Sequence, residues 1–127
     1  LLPDEGGQNL LMQHLGLAKT MDFIMRKRIV DAEEAMSLGL VNSVVPDNEL
    51  RVEAAKLAEE FANGPQVAMR MMKRSIYQAA ELTFDQACDE IAAKTAVTDH
   101  HPDTKEGVSA FHEKRAPAFN AWLKKTQ

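Results

Sequence analysis

Asp31-Ala32-Glu33-Glu34-Ala35-Met36-Ser37-Leu38-Gly39-Leu40-Val41-Asn42-Ser43-Val44-Val45-Pro46 holds a helix start, a helix stop and an extended run in one short stretch. Asp31 and Glu34 stand at capping-box spacing. The Asp31 carboxylate can accept the N–H of residue 34 while Glu34 reaches back. The helix is brief, because Gly39 is a natural residue to follow a helix end. Leu40 to Val45 then reads as a small strand ended by Pro46.

Outward from this stretch the dominant signal is helical periodicity, without internal repeat or low-complexity sequence. On its N-terminal side, Leu1-Leu2-Pro3-Asp4-Glu5-Gly6-Gly7 reads as a loop. Gln8 to Leu15 reads as a helix stopped by Gly16. Leu17 to Arg26 reads as a second helix with Met21, Ile24 and Met25 on its apolar face. Ile29-Val30 is a β-branched connector. On the C-terminal side, Asp47 is placed to cap a longer helix with Leu50, Ala54, Leu57, Ala58 and Phe61 inward, closed by Asn63-Gly64-Pro65. A helix follows over 66–80, carrying Val67, Met71 and Ile76. Thr83-Phe84-Asp85-Gln86 is a second capping-box match and opens a helix to about Thr98. After the turn Asp99–Asp103, Pro102 near N1 starts a last helix bearing Val108 and Phe111. The tail from Ala116, with Pro117, Phe119 and Trp122, is expected to pack on something outside this chain. The expected fold class is mainly α, with five to seven helices and one or two very short strands.

Composition narrows the function classes. The chain is 45% hydrophobic and 27% charged with a net charge of -4, the balance of an ordinary globular protein. Its basic residues are dispersed, which argues against nucleic acid as a partner. No apolar run approaches the roughly 20 residues of a membrane span. The one cysteine, Cys88, excludes an internal disulfide and fits a reducing compartment. Cys88 lies among Phe84, Ala87 and Ile91 and reads as a small buried residue. The chain opens on Leu1, so its natural start is expected upstream.

Four landmarks in this order resemble the crotonase superfamily, the enoyl-CoA hydratase/isomerase family. They are Pro3-Asp4-Glu5-Gly6-Gly7; Gly16-Leu17-Ala18-Lys19, with Thr20 where alanine is usual; Ala32-x-Glu34-Ala35-Met36-x-x-Gly39-Leu40-Val41-x-x-Val44-Val45-Pro46; and Glu106-Gly107-x-x-Ala110-Phe111-x-Glu113-Lys114-Arg115-x-Pro117-x-Phe119. Gln13 stands where many hydratases have arginine, and Lys27 where glycine is common. The resemblance implies the C-terminal half of the family's α/β fold, whose β–β–α spiral lies mostly in an upstream N-terminal half. Residues 1–64 would end the core and 65–127 would form a helical cap and trimerisation region. It also implies an acyl-CoA thioester as substrate, coenzyme A being part of that substrate, with no separate cofactor and no metal. A homotrimer or dimer of trimers is the expected assembly, and the cytoplasm the expected location, with mitochondrial matrix or peroxisome as alternatives.

The resemblance places few chemical groups in this chain. Asp4 matches an aspartate that is catalytic in isomerase branches of the family. From the residues alone it and Glu5 can equally form a solvated acidic loop at a helix N-terminus. Gly6 and Gly7 would form the active-site loop beside the thioester, or else only a helix-initiating turn. Phe111 and Lys114, three apart and so on one helix face, would lie at the adenine and phosphate end of CoA. Without the motif they read as core and solvated charge. The cluster Asp99, His100, His101 and Asp103 offers metal-ligating groups, but reads better as a helix N-terminus. His14 and His112 read as structural or surface residues, and Met69, Met71 and Met72 as adaptable packing. The activity expected of the parent is enoyl-CoA hydration through an oxyanion-stabilised enolate. The alternatives are an isomerase using Asp4, or a non-catalytic helical assembly fragment.

Overall fold

Among the described residues, 6–125 of a computed structural model, seven α-helices follow one another. They are α1 (Gly7–Leu15), α2 (Leu17–Met25), α3 (Ala32–Ser37), α4 (Leu50–Asn63), α5 (Gln66–Ala79), α6 (Phe84–Asp99) and α7 (Pro102–Glu113), followed by a 3₁₀ turn, Ala121–Lys125. The packing divides into two compact units between Arg51 and Val52. No helix among the described residues is long and apolar enough to cross a membrane.

The first unit pairs α1 with α2 and continues through α3. Thr20 on α2 is buried, 5% exposed, and its hydroxyl finds no hydrogen-bond partner among the described residues. Helix α2 closes through Lys27, at φ 52°. The Lys27 N–H bonds the Ile24 carbonyl at 3.1 Å and the Arg28 N–H bonds the Phe23 carbonyl at 3.0 Å. This is the Schellman ending, whose left-handed residue is usually glycine. Helix α3 ends the same way through Gly39, φ 78°, with N–H bonds from Gly39 to Met36 (3.0 Å) and from Leu40 to Ala35 (2.9 Å).

The capping box expected at α3 is half formed. The Asp31 carboxylate accepts the Glu34 N–H at 2.8 Å. The Glu34 carboxylate is instead taken by the Arg28 guanidinium, which also reaches Asp22 at 3.4 Å. A guanidinium offers a charged donor where the box offers a neutral one, and the charged pair prevails. Residues 41–46 carry no strand, and none occurs elsewhere among the described residues. A strand is defined by ladder bonds to a neighbour, and this run of β-branched residues has none here.

Between α3 and α4, Asp47 lies in a turn closed by the Glu49 N–H on the Pro46 carbonyl (2.8 Å). Helix α4 starts three residues after Asp47, too far for Asp47 to cap it. At the other end of α4 the Gln66 side-chain amide donates to the carbonyls of Phe61 (2.7 Å), Ala62 (3.3 Å) and Gly64 (3.3 Å). It thereby covers orphan groups of that helix end.

In the second unit, helices α5 and α6 pack together. A polar rung joins them: the Ser75 hydroxyl donates to Glu90 (2.9 Å), and the Lys94 ammonium donates to Ser75 (3.1 Å) and Gln78 (3.1 Å) and pairs with Glu90. Burial, and then the charge of Arg74, hold the Lys94 ammonium below its ordinary pKa. The box at α6 is complete, with Gln86 N–H on the Thr83 hydroxyl (3.4 Å) and Thr83 N–H on the Gln86 side chain (3.0 Å).

Apolar burial is slight. Ala110, 1% exposed, is the one buried apolar residue among those described, whereas Phe84 is 82% and Phe111 80% exposed. Cys88 is exposed as well, contrary to the expectation of a small buried residue. Its neighbours Phe84 and Ile91 are themselves uncovered, so apolar spacing on α6 marks a face but not a partner for it. Faces of this kind mark contact surfaces.

Thr20→Ala and Lys27→Gly should each stabilise the protein by about 1 kcal/mol. The first removes an unsatisfied buried hydroxyl and the second a side chain from a left-handed position. Thermal unfolding of the two variants and their double mutant checks this; a fall in midpoint for either refutes that assignment.

Candidate functional site

The sequence Asp99–Asp103 forms the end of one helix and the start of the next. His101 is the N-cap of α7, its Nδ1 accepting the Asp103 N–H at 3.2 Å. Pro102 occupies the first helical position, where its missing N–H costs nothing. Asp103, 6% exposed, anchors the C-terminal tail. Its Oδ1 accepts the Asn120 N–H at 2.8 Å and its Oδ2 accepts the Trp122 indole N–H at 3.2 Å. The His101 ring meets Trp122 edge-on, with centroids 5.3 Å apart.

Asn120 adopts φ 63°, a conformation asparagine tolerates. Its side-chain amide donates to the Gly64 carbonyl at 2.9 Å and accepts the Gln66 N–H at 3.3 Å. The tail is therefore held within this unit, by Asp103 at one point and the α4–α5 junction at another. This corrects the expectation that it packs outside the chain. Local sequence shows an apolar tail but not the distant carboxylate that binds it.

A second clamp runs parallel. The Arg115 guanidinium grips Glu106 through both carboxylate oxygens, at 2.5 and 3.0 Å, and Glu113 at 2.6 Å. The Ala118 N–H adds a bond to Glu106 at 2.7 Å. The Arg115 bond, then the Ala118 N–H, pull the Glu106 carboxyl down to a pKa of about 2, and the two acidic partners raise that of Arg115. The glycine beside Glu106, Gly107, lies against the Phe119 ring, where an added Cβ would stand 3.4 Å away, in ordinary van der Waals contact. Most of the Glu106–Phe119 motif thus builds a folded C-terminal turn.

The expected site residues fall in different places. Asp4 and Glu5 lie outside the described residues. Gly6, at φ 84°, is the N-cap of α1, and Gly7 is its first residue. A Cβ on Gly6 would meet nothing within 4 Å, so the demand at Gly6 is conformational. Phe111 and Lys114 lie in the second unit, at the end of α7. They do not share a helix face as their spacing suggested: α7 ends at Glu113, and Lys114 turns off it at φ 54°. The two remain joined by the Lys114 N–H on the Phe111 carbonyl (3.3 Å), while the exposed Phe111 ring rests edge-on against His112, centroids 5.9 Å apart. In the sequence Asp103 stands out only as a potential metal ligand; no spacing rule connects it to Asn120 and Trp122.

Comparison with known proteins identifies the class. The family model described as enoyl-CoA hydratase/isomerase matches residues 1–122. Similar proteins include one named "Probable enoyl-CoA hydratase" from Mycobacterium leprae, 38% identical over 94% of this chain and 46% of its own length. The 1,2-epoxyphenylacetyl-CoA isomerase of Escherichia coli is 34% identical, over 94% of this chain and 45% of its own length. A crystal structure of enoyl-CoA hydratase from Bacillus anthracis superposes with a TM-score of 0.87 at 29% identity, covering 94% of this chain and 46% of that one.

The chain therefore belongs to the enoyl-CoA hydratase/isomerase family, within the crotonase superfamily. It spans about half the length of the curated relatives it matches.

Asp103→Ala should cost about 3 kcal/mol, two hydrogen bonds to a charged group at about 1.5 each. It should also red-shift the emission of Trp122, the one tryptophan, and unchanged emission would refute the hub. Glu106 generates a pH dependence. Its folded pKa is depressed from 4.5 to about 2, so its stabilisation is full above the upper value and is lost as pH falls through the lower. The urea midpoint of the native protein should fall between those two pH values more steeply than that of Glu106→Gln; parallel curves would contradict the assignment.

Proposed function

We propose that this chain is the C-terminal part of an enoyl-CoA hydratase that adds water across the double bond of an acyl-CoA thioester. The observation that carries this is the match to the hydratase/isomerase family along residues 1–122. In this reading two backbone N–H donors of the upstream half hold the thioester oxygen as enolate charge develops on it, a preorganised electrostatic effect. Carboxylates position the water and move the protons. Gly6 and Gly7 bring backbone close to the thioester. Phe111 lies against the adenine, and the Lys114 ammonium serves the CoA phosphates as a point charge. The uncovered apolar faces contact the rest of the polypeptide and neighbouring subunits of a homotrimer or dimer of trimers. No separate cofactor enters, since coenzyme A arrives as part of the substrate.

A second reading, proton transfer from Asp4 in an enoyl-CoA or dienoyl-CoA isomerase, is favoured by that aspartate in the Pro3–Gly7 loop. It is favoured also by a CoA-ester isomerase among the relatives.

Loss of enoyl-CoA absorbance with the full-length protein, run beside its Asp4→Asn variant, separates the two. Hydration that survives the substitution is the expected result and leaves Asp4 a loop residue. Absence of hydration, with an Asp4-dependent double-bond shift on a 3-enoyl or dienoyl substrate, would replace the hydratase by the isomerase.

A further inference from the structure

We propose that Glu106 and Arg115 are positioning residues for the contact between Lys114 and the CoA phosphates; the inference rests on the CoA reading of Lys114 above. Lys114 follows the last residue of α7 at φ 54°. That conformation disfavours any residue with a Cβ, and glycine is the usual solution. A lysine kept there holds a charged side chain at the helix end against the preference of its own backbone.

Both neighbours of Lys114 are pinned by a single guanidinium. Arg115 takes Glu113 on one side at 2.6 Å and grips Glu106, two turns back on α7, at 2.5 and 3.0 Å. The Arg115 N–H on the Ala110 carbonyl, 3.0 Å, completes the turn. Ala118 N–H on Glu106, 2.7 Å, fixes the chain leaving it. The backbone on either side of Lys114 is therefore held, and its own N–H meets the carbonyl of the exposed Phe111 at 3.3 Å. A planar fork is needed for this, because two parallel bonds fix orientation where a point charge fixes only distance.

Calorimetric titration of the full-length protein with CoA and with an acyl-pantetheine thioester, which lacks the nucleotide, tests the assignment. Glu106→Gln and Arg115→Lys should each weaken CoA relative to acyl-pantetheine by up to about tenfold, the loss expected for one charge-assisted contact. Arg115→Lys keeps the charge and so separates geometry from electrostatics. Lys114→Gly should weaken CoA similarly while raising the unfolding midpoint. If Lys114→Gly weakens CoA and the other two do not, the positioning role is wrong and the CoA reading stands. If Lys114→Gly leaves CoA binding unchanged, the CoA reading fails and the inference with it. Equal weakening of both ligands by Glu106→Gln and Arg115→Lys would reduce the pair to a structural clamp and overturn the proposal.

Discussion

A carboxylate taken almost wholly out of water must be met by donors, or the desolvation destabilises the fold. Asp103 is in this position at the first turn of α7, where the helix dipole favours a negative charge. It is answered from far along the chain, by the Asn120 N–H and the Trp122 indole. Much of the second unit's C-terminal half depends on that pairing. With Asn120 seated, its side chain reaches the Gly64 carbonyl and the Gln66 N–H. The preceding residues then bring Phe119 over Gly107 and the Ala118 N–H to Glu106. These groups lie on one short stretch of chain, so loss of the carboxylate would loosen the Asn120 and Trp122 anchors while the Arg115 clamp holds its own bonds.

The apolar residues tell the opposite story. The helices are amphipathic by sequence, yet Phe84, Ile76 and Phe111 stand open, and a rung of polar groups joins α5 to α6. Met71, Met72 and Ile91 line a groove along that pair with little to fill it. The polar contacts thus set local geometry, while the apolar faces remain available for burial. In a chain spanning about half the length of its relatives, a hydrogen bond needs only one pair of groups, near or far along the chain, whereas apolar surface needs bulk.

Three positions depart from what the backbone or the interior prefers, and the structure separates them. Thr20 buries a hydroxyl without a partner among the described residues, where a methyl would suffice. Lys27 and Lys114 both end helices in the left-handed conformation. A cation beyond a helix C-terminus recovers part of that cost from the dipole. At Lys114 a guanidinium clamp on both neighbours accompanies the strained residue.

The sequence by itself determined most helix ends, though not the start of α4, which Asp47 lies too far away to cap. Asp31, Gly39, Thr83 with Gln86, and Pro102 all act at the ends their chemistry predicts, because capping is settled within four or five residues. It also carried the family motif, and with it Gly6, Gly7, Phe111 and Lys114 as site candidates. Tertiary structure decided everything that needed a distant partner. Glu34 turned from its own box to Arg28. The run 41–45 gained no strand without a neighbouring ladder, and Cys88 stayed exposed. Asp103 became the anchor of a tail whose apolar residues, read locally, point to an outside surface. Periodicity reports which face of an element is apolar; which group meets that face is set by loop closure over tens of residues, and no local spacing encodes it.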